Sequence, residues 1–164
     1  MKAILAADEN YAIGKDGQLL AYIKDDLQFF KENTLNKTVI LGRKTLYTFP
    51  GQKPLPKRNN IVMSRDKNFF VEGATIVHSL EEVFDCIKNI PSDDVFIIGG
   101  AEIYRLFLPY IDEIILTKIY KKFANVDAYF PNIEQSGEFE LIWSSEKQKF
   151  DDIEFTFNRY KRKK

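Results

Sequence analysis

One cysteine, Cys86, and one histidine, His78, are all that 164 residues hold of the two side chains on which disulfide frameworks, zinc sites and many nucleophilic centres depend. A lone thiol closes no intramolecular disulfide, and one thiol beside one imidazole leaves a zinc finger or a histidine-dependent triad short of parts. An excess of either charge is missing as well. Lys+Arg and Asp+Glu both number 24, so no overall positive field draws in nucleic acid or an anionic membrane. No apolar run approaches the roughly 18 residues of a membrane span. The first acid, Asp8, arrives after five uncharged residues, too soon for the apolar part of a leader. Repeats, low-complexity tracts and interdomain linkers are also absent. These absences predict one domain over residues 1–164, working as a cytoplasmic monomer with no metal, no nucleic acid partner and no membrane.

Aromatic residues, by contrast, are plentiful, with 14 Phe and 8 Tyr, which suits a packed core or a flat ligand. Short β-rich apolar runs recur at Ala3 to Ala7, Thr38 to Leu41, Asn60 to Ser64, Ala74 to Val77, Val95 to Ile98 and Glu113 to Tyr120. Helical periodicity separates the first five, at Asp25 to Leu35, Arg43 to Phe49, Ser79 to Ile90 and Ala101 to Leu108. The third of these opens on Ser79 with Glu82 three residues on, a capping box, and then sets Leu80, Val83, Phe84 and Ile87 on one face. Alternating strands and helices predict an α/β fold, a doubly wound and mostly parallel sheet of eight strands with about four helices. Phe139 to Ser144 and Ile153 to Tyr160 lack an intervening helix, and Asp151-Asp152 suits a tight turn, so an antiparallel hairpin is expected at the C-terminal end. Two long loops, Glu9 to Lys24 and Pro50 to Asn59, stand out in so small a chain.

Three strand ends carry groups that suit an anion. Val95 to Ile98 runs through Gly99-Gly100 into a helix at Ala101-Glu102, although a plain strand-to-helix turn reads equally well there. Thr38 to Leu41 runs through Gly42 into Arg43-Lys44-Thr45, and cations at a helix start oppose its dipole unless an anion sits there. Ser64-Arg65 adds a hydroxyl and a guanidinium after the third strand. Together they suggest a nucleotide across the carboxyl ends of a parallel sheet. Asp26 opens a helix beside Leu27, Phe29 and Phe30. It is either a helix cap or, since Asp25 can fill that position, a carboxyl turned into a cleft where burial raises its pKa.

These pieces, in order, resemble dihydrofolate reductase from about Ile4 to Tyr160. The resemblance is carried by Ala12-Ile13-Gly14-Lys15-Asp16-Gly17, Asp26-Leu27-Gln28-Phe29-Phe30-Lys31 with Thr34, and Val39-Ile40-Leu41-Gly42-Arg43-Lys44-Thr45. Pro54-Leu55-Pro56-Lys57-Arg58-Asn59, Ile97-Ile98-Gly99-Gly100-Ala101-Glu102-Ile103-Tyr104 and Asp127-Ala128-Tyr129-Phe130-Pro131 complete it. The resemblance implies hydride transfer from NADPH to pterin C6 of dihydrofolate, with a proton reaching N5, and a pocket open to antifolate inhibitors. It implies that Asp26 is the acid of the pterin pocket, supported by Thr117, with the backbone carbonyls of Ile4 and Ile98 receiving a pterin amino hydrogen. Leu27 and Phe30 would line the pterin and benzoyl groups, Phe49 and Leu55 the benzoyl slot, and Arg58 would pair with the glutamate carboxylate. Ala6, Ile13 with Gly14, and Tyr104 would surround the nicotinamide. Gly99, Gly100, Ala101, Glu102 and Ile103 would hold the pyrophosphate, Gly42, Arg43, Lys44 and Thr45 a second phosphate cradle, and Ser64 with Arg65 the 2′-phosphate. Glu9 to Lys24 would be the flap over the nicotinamide.

Two departures carry expectations of their own. Leu19-Leu20-Ala21 stands where the family usually has Leu-Pro-Trp, which leads to the expectation that Tyr22 or ordered water fills part of the vacated space. Ala128 replaces a common hydroxyl after Asp127, which is expected to weaken a contact to the flap. Two other classes compete: the related reductase of riboflavin synthesis, which would not require Asp26 with Arg58, and a catalytically silent nucleotide-binding protein.

Overall fold

The computed structural model describes residues 1–164, arranged as twelve strands and five α-helices. In chain order these are β1 (Lys2–Ala7), β2 (Ala12–Lys15), β3 (Gln18–Leu19), α1 (Lys24–Thr34), β4 (Thr38–Gly42), α2 (Arg43–Leu46), β5 (Asn59–Met63), β6 (Ala74–Val77), α3 (Leu80–Ile87), β7 (Val95–Gly99) and α4 (Ala101–Phe107). They continue with β8 (Glu113–Ile119), β9 (Ala128–Tyr129), α5 (Ile133–Ser136), β10 (Phe139–Ser144), β11 (Gln148–Phe150) and β12 (Ile153–Arg162). The main sheet runs β10-β12-β8-β1-β7-β4-β5-β6, with β11 also paired to β12. From β8 to β6 every neighbouring pair is parallel, and β12 joins β8 antiparallel.

Side-chain alternation along these strands divides the core between the two faces. Leu5, Ile40, Ile61, Ile97, Ile114 and Leu116 point to one side, where Val83 of α3 and Phe107 of α4 cover them. Ile4, Val39, Leu41, Val62, Phe96, Ile98 and Ile115 point to the other, under Leu46 of α2 and the aromatic residues of α1. This is the doubly wound arrangement, and it brings the carboxyl ends of six parallel strands to one edge. The capping box at α3 forms, with the Ser79 hydroxyl accepting from the Glu82 N–H at 3.2 Å, while the Glu82 carboxylate reaches back to the N–H of His78 rather than of Ser79.

The expected eight strands are the eight along the main path, and the structure adds to them. Residues 9–24 are not irregular throughout. Their β2–β3 hairpin turns at Asp16 and Gly17, both with positive φ, and pairs with β9 as a separate three-stranded sheet. The turn at Asp151-Asp152 joins β12 to the short β11, not to β10, because β12 is long enough to pair with both along one edge. The helical stretch expected to reach Phe49 stops at Leu46, and α5 was not anticipated. Asn132 caps α5 by accepting from the N–H groups of Glu134 and Gln135.

Candidate active site

The carboxyl end of β1 lies between β8 and β7, and the cleft opens above it. Ala6 is in register with Thr117 on β8, and Phe157 of β12 flanks Thr117 on its other side. Across this edge lies α1, whose residue before the first turn, Ile23, supplies no side-chain cap. The two acids of the first turn divide: Asp25 is exposed, while Asp26 turns inward and accepts a hydrogen bond from the Thr117 hydroxyl at 2.5 Å. Burial pushes the Asp26 carboxyl above the ordinary aspartate range, and the Thr117 bond opposes that shift only in part. An acid in this environment keeps its proton to higher pH than a solvated aspartate and can hand it to, or hydrogen-bond with, a polar heterocycle.

Beside Asp26 the apolar wall is continuous. Phe30, Phe49 and Leu55 pack with Ile4, Ile98 and Leu41 in one cluster. Leu27, one of the residues expected to line it, is 44% exposed and is not part of this cluster. At the slot's far end Arg58 is half-buried and desolvation lowers its pKa. Its Nη1 donates to the Thr34 hydroxyl at 3.1 Å and its Nε to the Pro56 carbonyl at 2.8 Å, and it has no acidic partner within 4.0 Å. A guanidinium held by neutral groups and lacking an anion suits a carboxylate ligand.

Sequence reasoning missed the residue that shapes this turn. Asn60 is buried in β5 and closes a ring of bonds, its side chain accepting from the Leu55 N–H at 3.0 Å and donating to the carbonyls of Leu55 (2.9 Å) and Arg58 (3.0 Å). The signal was present as an amide side chain inside an apolar strand run, where only satisfied polar groups persist.

On the other side of β1 the glycine-bearing strand ends of β4 and β7 abut. A Cβ on Gly42 would lie 3.1 Å from Ile103 Cγ1, and one on Gly100 would lie 3.4 Å from Thr45 Oγ1. Gly99 has φ +120°, a conformation that essentially excludes other residues, and the Gly99–Gly100 peptide is cis. The absence of side chains at Gly42, Gly99 and Gly100 lets Ile103, Tyr104 and Thr45 pack directly against strand-end backbone. Lys44 is exposed, Arg43 lies 3.8 Å from Asp66, and Arg65 lies 3.6 Å from Glu102. Both guanidiniums are thus tethered loosely beside Ser64, in reach of an anion. Glu102 offers no side-chain donor, so any hold it has on a phosphate comes from its backbone. Tyr104 is buried beneath Gly99, its hydroxyl donating to the Ile4 carbonyl at 2.9 Å and its ring set edge-on to Phe130. That bond ties α4 to β1 at the level of the cleft and uses one lone pair of the Ile4 carbonyl.

Over this edge folds the β2–β3 hairpin, carrying Ile13 and Gly14. Gly14 is buried, and a Cβ there would meet the Gln18 carbonyl oxygen at 3.0 Å. Despite Ala128, the hairpin is fastened: the Asp127 carboxylate accepts from the Asp16 N–H at 3.0 Å, and the Asp127 N–H donates to Gly14 O at 3.2 Å. The expectation for Tyr22 is corrected. The residue is 57% exposed and its hydroxyl donates to Gln18 Oε1 at 3.0 Å, so it turns outward along the hairpin. Ala21 packs instead in a small core with Ile23, Phe29 and Phe157, where the Phe29 and Phe157 rings stack 3.9 Å apart.

Comparison with known proteins gives one consistent result. The family model described as "Dihydrofolate reductase" matches residues 1–162. A dihydrofolate reductase of Staphylococcus haemolyticus is 40% identical over 128 residues, 78% of this chain and 74% of that protein. One of Bacillus subtilis (strain 168) is 35% identical over 162 residues, 98% of this chain and 93% of that protein. The solved structure of dihydrofolate reductase from Enterococcus faecalis, complexed with NADP(H) and RAB-propyl, superposes with a TM-score of 0.84 at 32% identity, covering 99% of this chain and 96% of that one.

Proposed function

The chain belongs to the dihydrofolate reductase family, and from that membership we infer what each side chain of the cleft contributes. It carries out NADPH-dependent reduction of 7,8-dihydrofolate to 5,6,7,8-tetrahydrofolate. When bound, NADPH supplies the hydride.

Asp26 holds the pterin amino group and ring nitrogen through its carboxyl and promotes protonation at N5, with Thr117 orienting it through Oδ1. The single observation that carries this reading is the inward turn of Asp26 onto Thr117, with burial raising its pKa. Phe30, Phe49 and Leu55 enclose the benzoyl group, Leu27 closes over its open side, and Arg58 receives the glutamate carboxylate. Ile4 and Ile98 offer carbonyls to the pterin amino group. This same slot is where antifolate inhibitors bind.

On the cofactor side, Ala6, Ile13, Gly14 and Tyr104 form the nicotinamide wall. The fit is supported by the close-packed glycines of the cradle and by guanidiniums held only loosely by exposed acids. Gly42 to Thr45 and Gly99 to Ile103 hold the phosphates with backbone and hydroxyl donors, and Ser64 with Arg65 takes the 2′-phosphate. The hairpin excludes water from the nicotinamide. We further propose that the chain is one domain acting as a cytoplasmic monomer. The match of one family model to residues 1–162 supports the single domain.

The test is a steady-state assay following NADPH consumption with dihydrofolate, for the wild type and for Asp26→Asn. Turnover by the wild type with a large loss in the variant is expected. Wild-type turnover in the variant would remove Asp26 from the chemistry.

A further inference from the structure

Asp8 is the least exposed acid in the chain, and the reaction described above gives it no task. It directly follows β1, and β2 begins at Ala12. The few residues between these strands therefore join Ala6 to Ile13, both assigned above to the nicotinamide wall. Backbone and side chain of Asp8 together close this connection. Its N–H donates to the Ala12 carbonyl at 3.0 Å, and its carbonyl accepts from the Tyr11 N–H at 3.0 Å. Its Oδ1 accepts from the N–H groups of Asn10 at 2.8 Å and Ala12 at 2.9 Å. Every amide from Asn10 to Ala12 thus ends on one residue.

Tyr11, inside this turn, takes up a φ of 61°, a left-handed conformation that a bulky residue adopts only where its surroundings impose it. Its carbonyl accepts from the Phe130 N–H at 2.8 Å, and its hydroxyl donates to Glu134 Oε1 at 2.7 Å. The second carboxylate oxygen of Asp8 reaches out of the turn. Oδ2 accepts from the Phe123 N–H at 3.0 Å, beside a bond from the Glu9 N–H to the Lys121 carbonyl at 3.2 Å. Phe123 is itself held, because its side chain packs against the small core of Ile23, Ile119, Phe155 and Phe157. A buried carboxylate is costly unless hydrogen bonds satisfy it, and here three backbone donors from two separate segments do so.

We propose that Asp8 is a positioning residue for hydride transfer, its carboxylate fixing the turn at residues 8–12 against Phe123 and so setting where Ala6 and Ile13 meet the nicotinamide. The inference rests on the assignment of those two residues made above. Hydride transfer is sensitive to such placement, since a misplacement of about 1 Å can cost roughly a hundredfold in rate.

Asp8→Asn keeps the shape of the side chain but exchanges one acceptor oxygen for a donor, so at least one of the three backbone bonds is lost. In the free protein, amide hydrogen exchange at Asn10, Ala12 or Phe123 is expected to quicken by roughly five- to tenfold. Single-turnover hydride transfer is expected to slow by about five- to fiftyfold, with the isotope effect of NADPH deuterated at the transferred hydrogen fully expressed. Dihydrofolate affinity is expected to stay within about twofold of wild type, because Phe30, Phe49, Leu55 and Arg58 take no part in the turn. Phe123→Ala, at a half-buried position, loosens the same contact from its other side and is expected to slow the same step by about two- to fivefold, which decides the matter should Asp8→Asn not fold. Unchanged amide exchange, an unchanged hydride step, or a loss seen only as weaker dihydrofolate binding or a lower melting temperature would each overturn the proposal. Ile13→Ala separates that failure from failure of the assignment beneath it. If Ile13→Ala slows the hydride step and the Asp8 and Phe123 variants do not, the positioning role falls alone; if Ile13→Ala leaves the step at the wild-type rate, the nicotinamide assignment falls.

Discussion

Replacing Asp26 by Asn keeps the size of the side chain and leaves an amide oxygen to accept from the Thr117 hydroxyl, so the 2.5 Å contact has a direct substitute. What disappears is the titrating proton. Loss of a positioned general acid typically costs about 10²- to 10⁴-fold, and the fall should appear in kcat with dihydrofolate while NADPH affinity stays near wild type. Stability should move in the opposite direction. Burial raises the folded-state pKa of Asp26 above its ordinary value. Between the unfolded value, about 3.9, and that raised value, the native state keeps a proton that the unfolded state has lost. Folding stability contributed by this group therefore falls as pH climbs through the window, and above it the whole cost of ionising a buried carboxyl is present. The Asn variant escapes that cost. It should melt at the same temperature as wild type below about pH 4 and higher at pH 7, by roughly 2 to 4 °C for each kcal/mol relieved. Thermal melts at both pH values, run beside the kinetic assay, provide the check. A variant that is inactive but no more stable at pH 7 would refute the argument that burial governs this carboxyl, and one that is fully active would refute its role in chemistry.

Arg58→Leu removes a guanidinium with no acidic partner in the protein, so KM for dihydrofolate should rise about ten- to a hundredfold with kcat little changed, as measured in the same assay. Asn60→Ala deletes three hydrogen bonds to the Leu55 and Arg58 backbone, at roughly 1 kcal/mol each. Denaturant unfolding should show a loss of about 2–3 kcal/mol, and KM should rise in the manner of Arg58→Leu although Asn60 touches no substrate. Wild-type protein should prefer NADPH to NADH, and Arg65→Gln combined with Arg43→Gln should narrow the ratio of their kcat/KM values by about ten- to a hundredfold. An unchanged ratio would dissociate both arginines from the 2′-phosphate.

The parts of this molecule that were legible in its sequence are those governed by local patterning. Strand-length apolar runs interrupted by helical periodicity fixed the parallel core, since each of β1, β4, β5, β7 and β8 alternates its side chains between two buried faces. The strand-end glycines and cations were legible for the same reason, because Gly42, Gly99 and Gly100 are small where backbones and side chains of separate elements approach. Asp26 was only half legible. Two adjacent acids at a helix start do not say which one turns inward, and that choice is made by Thr117, 91 residues away on β8. The hairpin at residues 12–19 escaped because its partner strand is two residues long, too short to leave a pattern, and its fastening is made by Asp127 across a distance of 111 residues. Tyr22 failed for a related reason. The space left by a missing indole need not be filled by the nearest aromatic neighbour in sequence. The protein places its aromatic volume through the Phe29 and Phe157 stack, between a helix and the C-terminal strand. Where tertiary contact decides the outcome, a residue's sequence neighbours carry little information about what it touches.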